Sequence, residues 1–113
     1  MTRVSLSRPL VLEGLQITPD GSGGYGEHWQ ALGTLWAEVV AGSGGQASVE
    51  EFTRASVPYR ITVRAAPMGS PQRPGPGQRF RDGSRLFQIL AVTERDAAGR
   101  LLLCFAREEE EAA

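Results

Sequence analysis

The sequence predicts an all-β fold, a small antiparallel β-barrel or sandwich of five to six strands with one short helix in a long loop. Three observations carry this reading. Fourteen glycines and seven prolines in 113 residues place turns close together, which favours short strands over long helices. Tyr59, Ile61, Val63 and Ala65 alternate with Arg60, Thr62 and Arg64, the period of two that marks a half-buried strand. Turn signals at Asp82-Gly83 and at Asp96 to Gly99 separate Phe80-Arg81, Leu86 to Val92 and Leu101 to Phe105, the spacing of consecutive hairpins. A chain of 12.2 kDa has room for one core, so a single domain over residues 1–107 and an acidic tail over 108–113 are expected.

Along the chain, Arg3 to Glu13 carries Val4, Leu6, Leu10 and Leu12 at even spacing, with Pro9 interrupting the ladder. It reads as an edge strand or a strand broken in two. Asp20 to Gly26 is a glycine-rich turn. From Glu27 to Val40 two periods compete: Trp29, Leu32, Trp36, Val39 and Val40 fit a helix face, whereas Leu35, Ala37 and Val39 alternate as a strand does. Gly33 in the middle and Gly42 after the end favour the strand. The polar stretch from 41 to 58 is a long loop, in which Ser48 followed by Glu51 forms a capping-box pattern and predicts a short helix. Tyr59 to Ala65 is the clearest strand, with one face core and the other cationic. Pro67 to Gly77 holds four prolines and is expected to be an exposed excursion that cannot pair in a sheet. Phe80-Arg81, Leu86 to Val92 and Leu101 to Phe105 complete the set, the last two apolar on both faces and hence central. The expected structural core is Trp29, Trp36, Ile61, Val63, Phe87, Ile89 and Leu103.

Charge narrows the function classes. Twelve basic residues face thirteen acids, and every basic residue is Arg, so bulk charge gives no argument for nucleic acid or a membrane surface. The distribution is uneven: residues 1 to 53 carry net −4, residues 54 to 100 net +6, and residues 101 to 113 net −3. Such segregation can present opposite faces to different neighbours. No basic, apolar leader opens the chain, one cysteine cannot form an internal disulfide, and the longest apolar run has six residues. A soluble protein, neither secreted nor membrane-spanning, is expected.

Few residues offer chemistry. Gly21, Gly23 and Gly26 match the spacing of a dinucleotide-binding loop, but no βαβ unit surrounds them and Asp20 would repel a phosphate. His28 and Cys104 are the only histidine and cysteine. A nucleophilic pair would need them adjacent, and two ligands cannot complete a structural zinc site. No catalytic residue, metal or cofactor is therefore expected. Arg60, Arg64, Arg79 and Arg81 form a candidate cationic face. With Arg85 and with Tyr59, Phe80 and Phe87 close by, they keep a small nucleic-acid-binding barrel as the alternative function.

Read in order, Arg8-Pro9, Asp20-Gly21-Ser22-Gly23-Gly24-Tyr25, Trp29, Trp36-Ala37-Glu38-Val39 and Gly42 resemble the tailed-phage head–tail joining family of head-closure or stopper proteins. Tyr59 to Arg64, Gly77-Gln78-Arg79-Phe80, Leu86 to Val92 and Leu101 to Cys104 continue the series, so that the resemblance spans residues 6 to 107. The family also occurs in phage-derived gene transfer agents. The resemblance implies a non-enzymatic β-barrel of the virion, assembled in the host cytoplasm. It implies a ring of about six or twelve copies beneath a portal or adaptor ring, closing the DNA-filled head and docking a tail terminator or tail tube. Packaged DNA would then be a neighbour by proximity. In that setting Glu50, Glu51, Phe52 and Arg54 belong to a loop facing the ring lumen or the next ring, and Arg60, Arg64, Arg79 and Arg81 face a neighbour or the DNA channel.

Overall fold

Six antiparallel strands close into a barrel in the order β1-β2-β3-β6-β5-β4. They are β1 (Arg8–Pro19), β2 (Tyr25–Ala41), β3 (Pro58–Arg64), β4 (Arg79–Asp82), β5 (Arg85–Glu94) and β6 (Leu101–Glu109). The computed structural model describes residues 3–42 and 57–109. No helix occurs among them, and none long and apolar enough to cross a membrane. Most of the 41–58 loop, including its expected short helix, lies outside the described residues. Its base is tied by the Gly42 amide, which donates to the Pro58 carbonyl at 2.9 Å.

Closure decides between barrel and sandwich, which the strand count left open. β4, only four residues long, pairs with β5 on one side and with Val11, Leu12 and Glu13 of β1 on the other. The interior is filled from every strand by Leu10 and Leu12, Ala37, Ile61 and Val63, Phe80, Phe87 and Ile89, and Leu102, Cys104 and Ala106. Phe80 and Phe87 are the largest wholly buried side chains.

Two bulges govern which residues reach this interior. In β2 the register moves from Leu12↔Gly33 to Glu13↔Ala31, so Leu32 is an extra residue and the phase of β2 inverts there. In β5, Ile89 pairs with Ala106 and Ala91 with Phe105, leaving Leu90 extra and 47% exposed. The β4–β5 turn is tight: Asp82 pairs with Arg85, and Gly83 takes φ +62° while no non-glycine residue among those described has positive φ. That combination fits a type II′ hairpin, which requires glycine at its first central position.

Several expected elements shift. β1 begins at Arg8 and runs to Pro19 instead of spanning Arg3 to Glu13, because β2 is long enough to pair with it through Tyr25 whereas Arg3 to Ser7 meets no strand. Pro9 is tolerated where β1 has β2 as its one neighbour, since β4 joins only at Val11. The proline-rich segment is folded back against the barrel. Pro74 is buried, Gly77 donates to the Ile89 carbonyl, and Ile89 in turn donates to Gln78, at 3.0 and 2.9 Å.

Trp36 and Leu103 do not join the core. Leu35, Ala37 and Val39 face inward, so their strand neighbour Trp36 must face outward and is 58% exposed. On β6, Ile61↔Cys104 and Val63↔Leu102 fix the inward set, and Leu103 lies opposite Thr62 on the outer face, half-buried.

Candidate functional site

The described surface has no pocket, and its described residues include no cluster of metal-ligating side chains. Its features are faces, and they follow from register. Beyond Glu13, β1 loses β4, and β2 pairs with β3 only from Ala37 to Ala41. Gly14–Pro19 and Tyr25–Gln30 therefore pair only with each other and form a two-stranded arm of about 20 Å extending from the barrel.

The arm is amphipathic. Cross-strand partners share a face, so Leu15↔Trp29, Ile17↔Glu27 and Pro19↔Tyr25 line one side, and Gln16↔His28 and Gly14↔Gln30 the other. The β2 bulge creates this arrangement: without the extra Leu32, Trp29 and Tyr25 would stand on the opposite side from Leu15 and Ile17. Leu15, Ile17 and Tyr25 are 39%, 62% and 73% exposed. At the tip, Asp20 Oδ1 accepts from the Ser22 and Gly24 amides at 2.8 and 3.1 Å. These amides, which a phosphate would need, are already taken by an aspartate, so the glycine-rich segment is a structural turn.

An ionic cluster seals the β1–β4 seam at the foot of the arm. Glu13 accepts from Arg79 Nε at 2.6 Å and from Arg81 Nε at 3.0 Å, and the Arg79 guanidinium lies 4.0 Å from the centre of the Trp29 ring, a cation–π contact. Burial pushes the Glu13 carboxyl up, but the hydrogen bonds and charges of Arg79 and Arg81 together outweigh it and hold the group below its ordinary value. Farther along the seam, Arg8 pairs with Asp82 at 2.6 Å. A second cluster joins β5 to β6. Arg85 donates to both Glu108 oxygens and to the Tyr59 hydroxyl, and its hydrogen bond is the main cause that lowers the Glu108 carboxyl.

Residues 1–109 match the family model described as phage head completion protein. The chain belongs to the phage head completion protein family. It is also similar to a solved chain from the virion of a native gene transfer agent particle, at 54% identity and TM-score 0.76, over 99% of this chain and 100% of that one. A protein of Shigella flexneri 2a, solved in solution, is 26% identical with TM-score 0.72 over the same shares. A search of curated protein sequences returns no match.

In this head completion protein the candidate arginines do not form one face. Arg79 and Arg81 are engaged by Glu13 across the seam. Arg60 and Arg64 point outward from β3, which two strands separate from β4 in either direction around the barrel. Glu50, Glu51, Phe52 and Arg54 lie outside the described residues. Ile61, Val63, Phe87 and Ile89 are buried, and Trp29 is half-buried on the arm beneath Arg79. Phe80 and Phe87 are fully enclosed and Tyr59 packs edge-on against Phe87 at 5.1 Å, so none of the three is placed to stack on bases. Cys104 is inside the barrel, where burial pushes its thiol up to about 12, while His28 stands on the arm. Neither activates the other.

Sequence reading missed the arm and the seam cluster. The alternation of Leu15 and Ile17 past Gly14 was a usable signal for the first. Nothing local announces the second, since Glu13 and Arg79 are 66 positions apart.

Proposed function

We propose that this chain is a structural component of the head–tail connector, closing the DNA-filled head below the portal or adaptor ring and offering the tail its docking surface. The observation that carries the reading is the family match over residues 1–109 together with 54% identity to a chain of a gene transfer agent virion. The protein works by shape and contact, not by catalysis. Membership in a virion implies assembly with other structural proteins, here with copies of itself in a ring of about six or twelve, with the adaptor or portal ring, and with a tail terminator or tail tube. The segment carrying Glu50, Glu51, Phe52 and Arg54 faces the lumen or the neighbouring ring and helps retain the packaged DNA. Arg60 and Arg64 face a neighbouring subunit.

Quantitative mass spectrometry of nuclease-treated, gradient-purified particles tests the reading. A constant ratio to the portal protein is expected, and absence from DNA-filled particles would overturn it. Reversing the charges of Glu50 and Glu51 should release packaged DNA while leaving the chain in the particle. Full particles that retain DNA as the parent does would remove the loop's assignment alone.

A further inference from the structure

The arm has a counterpart on the same chain. At the other end of β2, the outer face of β2, β3 and β6 presents Trp36 and Val40, with Leu103 and Phe105 half-buried beside them and Arg60 and Arg64 projecting from β3. Trp36 is 58% and Val40 37% exposed. Glu38, Thr62 and Arg95 cross the middle of this wall and satisfy one another, Arg95 donating to Thr62 at 2.8 Å and reaching Glu38 at 3.8 Å. Arg60 and Arg64 take no part in an ion pair among the described residues. The Arg60 Nε is buried with no hydrogen-bond partner there, a state that is costly unless an acceptor is supplied.

Charge separates the two surfaces. From Pro9 to Gly42 the chain has four acids and no arginine or lysine, and Asp20 and Glu27 belong to the arm. The wall has surplus arginine. Two arms packed together would oppose carboxylates and two walls would oppose guanidinium groups, whereas an arm on a wall pairs opposite charges and covers both apolar patches.

Resting on the connector reading, we infer that the apolar face of the arm, Leu15, Ile17, Tyr25 and Trp29, seats on the β2–β3–β6 wall of a second copy of this chain, with Asp20 and Glu27 meeting that copy's Arg60 and Arg64. The contact joins unlike surfaces, so it repeats head to tail and each copy both gives an arm and receives one. Such heterologous contacts generate a ring when the rotation closes. The arm is then the element that sets the spacing between subunits.

Particles assembled from two co-expressed full-length variants test this. One variant carries Ile17→Cys on the arm and the other Val40→Cys on the wall, and a short bifunctional maleimide is applied to the purified particles. Both positions are on the surface, and the native Cys104 is buried, so it does not compete. A cross-linked dimer that forms in the mixture, and in neither variant alone, is the expected result. Tyr25→Cys with Trp36→Cys gives a second pair should either first variant fold poorly. Dimers in the Ile17→Cys sample alone would show arm against arm and overturn the proposal. No dimer from either pair, in particles that contain both variants, would overturn it too, and the connector reading would stand. Absence of the parent chain from particles would remove the connector reading and this contact with it.

Discussion

Glu13 shows how one side chain can hold a barrel shut. It is charged, 8% exposed, and sits where β1 passes from the barrel wall into the arm, with two guanidinium groups on its carboxylate. Removing the charge leaves Arg79, whose side chain is only 12% exposed, without its counter-ion. Glu13→Gln should therefore destabilise the fold by about 2–3 kcal/mol, toward the low end for a broken buried pair because Arg81 is partly solvated. Urea unfolding monitored by tryptophan fluorescence would measure it, and a midpoint unchanged from the parent would show that the cluster contributes nothing net. The outward tryptophan makes the opposite case. Phe87→Ala, at a wholly buried site, should cost about 3–5 kcal/mol, whereas Trp36→Ala should change stability by no more than about 0.5 kcal/mol and act on assembly instead. Equal losses in thermal unfolding would contradict the inward set described for β2.

At the scale of elements, turns and bulges decide what alternation alone leaves open. Gly83 holds φ +62° with nothing near its missing side chain, so Gly83→Ala meets backbone strain without any clash. A loss of about 1 kcal/mol is expected, read from the denaturation midpoint, and no loss would mean that the β4–β5 turn is not of the type described. The hairpins were legible because their signals are local: Asp82-Gly83, Asp96 to Gly99, and the strict alternation from Tyr59 to Ala65. The β2 helix-or-strand ambiguity was resolved correctly by Gly33, yet Trp36 was still assigned inward, a residue of the helical pattern carried into a strand. Leu103 was misplaced for a different reason, because a run of leucines has no phase until Ile61 and Val63 supply one through the ladder. The bulges at Leu32 and Leu90 are features of pairing between strands distant in sequence or separated by a loop, and no single-strand pattern encodes them. For the same reason the division of the candidate arginines between the seam and the β3 wall became visible only with the register.

For the whole molecule, acid should open the barrel from its seams. The β1–β4 ladder has three residue pairs, fewer than any other in the barrel, and leans on Glu13, while Glu108 supports the β5–β6 junction. Both carboxyls titrate below their ordinary value of 4.5 in the folded protein. The unfolded chain thus takes up protons first as pH falls. Their contribution is complete above the unfolded value and is lost as pH drops through the lower folded values. A stability profile flat near neutrality and falling below about pH 4.5 is the expected outcome, and Glu13→Gln should make that fall shallower; an unchanged slope would exclude Glu13 as its source.

Closure also divides the backbone into two clocks. Around the barrel every strand has a neighbour on each side, so its amides are released to solvent only when the wall itself opens. Along the arm, Gly14–Pro19 and Tyr25–Gln30 are paired on one edge alone, and the amides of the other edge exchange with water unless another chain covers them. Deuterium uptake in the isolated subunit should accordingly be fast in the arm and slow in the wall. In the particle, the slowing of the arm's uptake would time the moment at which a free subunit becomes part of a shell.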